Sequence, residues 1–221
     1  MIGFYNYTVI LTFLSLLSGT AGSFLCLSGV ASPAVGMLFL MFSGVCDSFD
    51  GTVARTKKNR SRREQCFGVQ IDSLADLMSF GMLPASVGVA LLFSGLPRGE
   101  AALTPVRVLL LVVALAFVLA ALIRLAFFNV LEEERDRTRT GERKVYVGLP
   151  TTSVALIFPG VLLLQHLVKV DLTWLYFAGL AAVAWLFVCK LEIPKPGLKG
   201  ILALIGLGLV EFVVMLATCM L

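Results

Sequence analysis

Val108-Leu109-Leu110-Leu111-Val112-Val113-Ala114-Leu115-Ala116-Phe117-Val118-Leu119-Ala120-Ala121-Leu122-Ile123 runs for sixteen residues without a polar side chain, between Arg107 and Arg124. A helix crossing a bilayer needs about 20 mostly apolar residues, and this run is the centre of such a stretch, about 102–131. Six more can be marked outward from it, at about 6–29, 32–55, 66–95, 147–168, 171–189 and 198–219. The whole chain fits that reading: of 221 residues 58% are hydrophobic and only 14% charged, with a mean hydropathy of +0.94. A soluble domain carries about a quarter charged residues, so a water-soluble enzyme, a disordered chain and a fibrous repeat are excluded. A membrane barrel would alternate apolar and polar residues along short strands. The expected fold is therefore all-α, a polytopic membrane protein with six to seven transmembrane helices. It forms one membrane domain over 1–221, with a core at 6–168 and C-terminal segments at 171–221. The N-terminus has no basic n-region and reads as a retained membrane segment rather than a signal peptide.

Loop charge sets the expected orientation. Lys57, Lys58, Arg60, Arg62 and Arg63 fall between segments two and three. Arg135, Arg137, Arg139, Arg143 and Lys144 fall between four and five, and Lys190, Lys195 and Lys199 between six and seven. The alternate loops hold only Arg98, Arg107 and Lys169. The positive-inside rule then places the rich loops and the N-terminus in the cytoplasm. No organelle address is visible, so the expected location is the plasma membrane. The net charge of +4 reflects topology and attraction to anionic lipid heads, not nucleic acid binding. Five scattered cysteines with no CxxC pair support neither a zinc site nor a disulfide framework.

Against this background the informative residues are acids inside apolar segments. Segment two ends Cys46-Asp47-Ser48-Phe49-Asp50-Gly51-Thr52-Val53-Ala54-Arg55, and segment three carries Gly68-Val69-Gln70-Ile71-Asp72-Ser73-Leu74-Ala75-Asp76. An ionised aspartate at membrane depth is costly unless paired or hydrated, which makes it a functional candidate. Spacings of three and four put Asp47 with Asp50, and Asp72 with Asp76, on single helix faces. A short loop joins the two segments as antiparallel neighbours, so the four carboxylates should converge. Without His or Cys the donor set is all oxygen, which suits Mg²⁺ or Mn²⁺. Gly51 and Gly68 open the backbone to a flat base or a phosphate, and Arg55 is placed to pair with phosphate. Helix capping or pairing with the basic loop would explain one or two such aspartates, hardly four. A cation pathway is the stronger rival on physical grounds.

Asp47-x2-Asp50-Gly51-x2-Ala54-Arg55 followed by Gly68-x3-Asp72-x3-Asp76 resembles the signature of the CDP-alcohol phosphotransferases, matching all eight positions. Twelve residues separate Arg55 from Gly68, where that family usually has eight or nine. The polar insertion from Lys57 to Glu64 reads as an extended loop or an added helical turn. Phe67 to Asp76 continuing to Ser79-Phe80-Gly81 and Pro84-Ala85 is similar to the phosphatidylserine synthase branch. Ile123 to Asn129 and Gly148-Leu149-Pro150-Thr151 resemble it too. The resemblance implies that Asp47, Asp50, Asp72 and Asp76 hold two divalent cations, Mg²⁺ or Mn²⁺, and that Asp76 is also the base that takes the acceptor's proton. It implies that Gly51, Ala54 and Gly68 face the cytidine and Arg55 the pyrophosphate. The substrates would be CDP-diacylglycerol and L-serine, at the cytoplasmic face of a homodimer.

A zwitterionic acceptor needs a partner for its carboxylate and another for its ammonium. Arg124, Asn129 and Thr151 are the candidates, with snorkelling or helix capping as the plainer alternatives. Glycerol 3-phosphate or an inositol phosphate as acceptor, or a divalent cation transporter in place of an enzyme, are the other readings. Four features carry less weight. His166 reads as interfacial and Glu132-Glu133-Glu134-Arg135-Asp136-Arg137 as a solvated loop. Glu211 should face another helix or a partner subunit, and Gly179, Gly206 and Gly208 should allow close helix packing.

Overall fold

Small residues set how near the first helices approach one another. The computed structural model describes residues 3–94, 103–138, 145–168, 171, 173–194 and 197–220. A 3-10 turn at Tyr7–Val9 leads into α1 (Ile10–Leu27), followed by α2 (Pro33–Thr56) and α3 (Arg62–Asp76). A π-helical turn, Leu77–Met82, joins α3 to α4 (Leu83–Leu92). After these come α5 (Pro105–Thr138), α6 (Val154–Val168), α7 (Thr173–Val188) and α8 (Leu198–Met220). Among the described residues, with α3 and α4 counted as one rod, the apolar helices number seven. Five are long and apolar enough to span a bilayer, and the helices around Thr151–Leu164 and Thr173–Val188 are shorter. The fold is an all-α polytopic membrane protein.

Helix α1 packs against α2 and the α3–α4 rod through glycine and serine. A Cβ on Gly19 would stand 2.6 Å from the Cα of Ser79, and one on Gly22 2.8 Å from the Cβ of Phe39. Hydroxyls stitch the same seam. Ser79 donates to the Ser15 carbonyl at 2.9 Å, Ser43 donates to it at 3.2 Å, and Ser18 donates to the Phe39 carbonyl at 2.8 Å. Tertiary hydrogen bonds of this kind replace the hydration that lipid cannot offer. Further out, a fully buried aromatic group of Phe117, Phe158, Tyr176 and Phe177 ties α5, α6 and α7 together. Tyr176 sends its hydroxyl to the Pro84 carbonyl at 2.8 Å.

Several boundaries depart from the sequence reading. Helix α3 starts at Arg62, six residues before Gly68, because Ser61 and Glu64 form a reciprocal capping box. The insertion therefore makes an added helical turn after a short connection. Helix α5 runs to Thr138, so the acidic run from Glu132 is its last turns and not a loop. At 1.5 Å per residue its 34 residues span about 51 Å, well beyond the roughly 30 Å of bilayer hydrocarbon. Glutamate and arginine are good helix formers, which explains the continuation.

A two-stranded antiparallel ribbon, β1 (Val145–Val147) with β2 (Glu192–Pro194), joins the connection after α5 to the one after α7. Both connections must lie on one side of the membrane, as the loop charges require. Glu211 faces α6, its Oε1 3.0 Å from the position of a Cβ on Gly160. Gly208 packs on Leu156, whereas Gly206 has open space and plays no packing part. Arg98, Arg139, Arg143, Lys144, Lys169 and Lys195 lie outside the described residues, as do the side chains of Arg135, Arg137 and His166.

Gly19→Ala should destabilise the protein by about 1–3 kcal/mol, the usual range for overpacking, because backbone and not a flexible side chain blocks the new methyl. Gly206→Ala should leave stability unchanged or raise it. Thermal unfolding in detergent micelles compares the two, and equal midpoints would remove the close seam as a constraint.

Candidate active site

The end of α2 and the body of α3 run antiparallel, and their acidic faces meet. Carboxylate oxygens of Asp47, Asp50 and Asp72 all lie within 4.8 Å of one another. Asp76, one turn beyond Asp72 on α3, stands beside these three without belonging to that set of mutual distances, and is close enough for its charge to be felt by them. Asp50 and Asp76 are buried, each 8% exposed, while Asp47 and Asp72 are half-buried. Two of the four carboxylates are thus shielded and two reach the surface. So many like charges repel at this spacing unless cations stand between them. The all-oxygen donor set and the short separations fit a hard divalent ion.

The glycines sit beside the cluster, and each is covered by a guanidinium. Arg55 folds back one turn, its Nη1 3.5 Å from where a Cβ of Gly51 would be, and donates to the Thr52 hydroxyl at 3.4 Å. Over Gly68 lies Arg60, with Nη2 2.6 Å from the corresponding position. Ala54, half-buried, belongs to the same turn of α2.

The three acceptor candidates fall in different places. Asn129 on α5 donates to the Ser73 hydroxyl at 2.7 Å, directly beside Asp72. Thr151 is buried and opens the 3-10 turn at Thr151–Ser153, which packs on the π-helical turn after Asp76. Arg124 is buried beneath the preceding turn. Its Nε donates to the Leu149 carbonyl at 3.1 Å, and its guanidinium lies 5.4 Å from the Phe128 ring centre. Gly148, at φ +77°, makes this turn possible, and its N–H bonds the Leu191 carbonyl at 2.6 Å. Arg124 therefore holds the segment that presents Thr151.

Other contributors gave no sequence signal. Thr12 of α1 donates to Asp50 at 3.4 Å, yet one threonine in an apolar run is unremarkable. Asn6 reaches Glu64 at 3.2 Å, and Phe4 packs edge-on to Phe67. The segment before α1 thereby lies against the first turns of α3.

Fold and site together define an integral-membrane protein with a carboxylate cluster set between two helices at one end of a bundle, flanked by two glycines and the arginines that cover them. The family model for CDP-alcohol phosphatidyltransferase matches residues 5–190, and the chain belongs to that family. A CDP-diacylglycerol–serine O-phosphatidyltransferase of Saccharomyces cerevisiae is 38% identical over 122 residues, 54% of this chain and 38% of that protein. A protein of the same description from Helicobacter pylori is 31% identical over 154 residues, 68% of this chain and 56% of the relative. An archaetidylserine synthase of Methanothermobacter thermautotrophicus is 29% identical over 183 residues, 82% and 68% of the two chains. The chain thus spans less than two thirds of the length of the yeast and Helicobacter relatives.

Replacing Asp50 and Asp72 together by asparagine should abolish Mn²⁺ binding, read as loss of the bound-ion signal in electron paramagnetic resonance titrations. Asp171→Asn, a change in the α6–α7 connection, should leave it intact. Undiminished binding in the double variant would place the ion elsewhere.

Proposed function

We propose that this protein is a phosphatidylserine synthase, transferring a phosphatidyl group from CDP-diacylglycerol to the hydroxyl of L-serine and releasing CMP. The observation that carries the reading is the convergence of four aspartates beside two glycines, each covered by an arginine, in a chain of this family. The relatives' names support serine as acceptor, since the phosphatidyltransferases and the archaetidylserine synthase both carry it. The match to the latter favours a second reading for the lipid half alone, an ether-linked donor in place of the diacyl one. Membership in the family argues against a cation transporter.

In this reading Asp47, Asp50, Asp72 and Asp76 hold two divalent cations, Mg²⁺ or Mn²⁺, which when bound supply positive charge to the diphosphate. Gly51, Ala54 and Gly68 let the cytidine lie against bare backbone. Arg55 turns its guanidinium from Gly51 to the diphosphate, where a planar fork matches phosphate oxygens. Asp76 accepts the proton of the serine hydroxyl as that oxygen attacks the phosphorus bearing diacylglycerol. The bond from that phosphorus to the bridging oxygen breaks, and CMP departs with the electron pair. Asn129 and Thr151 flank the point of attack from α5 and from the turn before α6. Arg124, its Nε committed to Leu149, meets the serine carboxylate with its terminal nitrogens. The thirteen basic residues in and around one set of connections support a cytoplasmic orientation for this end in the plasma membrane, and in this reading two copies pair as a homodimer.

Purified protein with CDP-diacylglycerol and Mn²⁺ should release CMP with L-serine, and not with glycerol 3-phosphate or an inositol phosphate. Chelation should stop it. Release with another alcohol alone would reassign the acceptor. Asp76→Asn should lower turnover on the order of a hundredfold to ten-thousandfold, the usual scale of a general base, while CDP still binds. Wild-type turnover in that variant would remove Asp76 from the role. Arg124→Ala should raise KM for serine more than KM for the liponucleotide, and equal increases would mean that it only braces the Leu149 turn.

A further inference from the structure

Arg60 stands in the connection between α2 and α3, outside the eight signature positions. Its guanidinium nonetheless occupies the face of Gly68, with Nη2 2.6 Å from the point where a Cβ would be. It mirrors Arg55 on Gly51. Arg60 is held there loosely. Nη2 reaches the Glu64 carbonyl at 3.4 Å, and Nε is buried with no acceptor. The Glu64 carboxylate is already engaged, since it takes Lys57 at 2.7 Å, the Ser61 N–H at 2.9 Å and Asn6 at 3.2 Å. Among the described residues no carboxylate lies within 4.0 Å of Arg60. A buried N–H without a partner is rare and unfavourable, and a guanidinium so placed suits an incoming anion.

We propose that Arg60 is a second nucleotide-binding arginine, which leaves Gly68 as the base of the liponucleotide arrives and gives its spare donors to the diphosphate. The inference rests on the reading that Gly68 faces the cytidine. It also assigns a purpose to the insertion before Gly68. The short connection carries Arg60, and the added turn of α3 begins with the capping box that fixes where the connection ends. The ligand chemistry is that of a nucleoside diphosphate. Arg62 and Arg63, exposed on the first turn of α3, take no part.

The test uses the full chain in detergent micelles with Mg²⁺. Calorimetry gives Kd for CDP, and CMP release gives KM for CDP-diacylglycerol and for serine. Arg60→Gln should weaken CDP binding and raise KM for CDP-diacylglycerol at least tenfold, with KM for serine within twofold. Arg63→Gln, which removes the same charge from the same region, should change each by less than twofold. Wild-type values in Arg60→Gln would overturn the proposal, as would equal losses in both variants or parallel increases in the two KM values. Should Arg60→Gln fail to fold, Arg60→Lys serves instead, with a loss of threefold or more for CDP expected and no loss overturning the idea. A wild-type chain that binds no CDP would overturn the parent reading of the site, and this one with it. CDP binding that survives loss of the guanidinium would overturn this one alone.

Discussion

The approach of α1 to Ser79 fixes the register of everything around the acids. With the Cα of Ser79 only 2.6 Å from where a methyl on Gly19 would project, the α3–α4 rod cannot rotate or slide against α1 without a steric clash. The same rod carries Asp76 and Asp72 about one and two turns earlier, so their direction toward α2 is set by the seam. Hydrocarbon offers no water to pull helices together, and close van der Waals contact with interhelical hydrogen bonds takes its place. A cluster whose members repel one another needs such a rigid frame, because repulsion would otherwise spread the helices.

The π-helical turn extends that argument. It falls directly after Asp76, and wider turns of this kind often occur at functional positions. Here it offsets the acid-bearing half of the rod from the half packed into the core by Phe80, Leu83 and Val87. One half answers to the carboxylates of α2 and the other to the aromatic group under α5 and α7. A regular helix would have to satisfy both with a single phase.

Much of this was legible in the sequence, for physical reasons. Charge is so unfavourable in hydrocarbon that the seven apolar stretches and the four aspartates stand out unaided, and spacings of three and four assign those acids to helix faces. The limits of α3 and α5 were misjudged because hydropathy marks where lipid ends, whereas helices continue wherever caps and propensity allow. The Thr12 contact to Asp50, the Asn129 contact to Ser73 and the place of Arg60 were hidden. Each depends on which helices become neighbours, and single polar residues carry no periodic mark. The ribbon was hidden too, its three-residue strands being too short to show alternation.

That ribbon bears on how the protein is made. Its strands, Val145–Val147 and Glu192–Pro194, are separated in the chain by α6 and α7, so the second strand leaves the ribosome only after that helical pair has been threaded. Until then the Gly148–Leu149 turn lacks the Leu191 carbonyl that its N–H uses. The aspartate helices are complete much earlier in synthesis. The carboxylate cluster on α2 and α3 is thus complete in the chain before the turn at Thr151–Ser153 can be held in its final place.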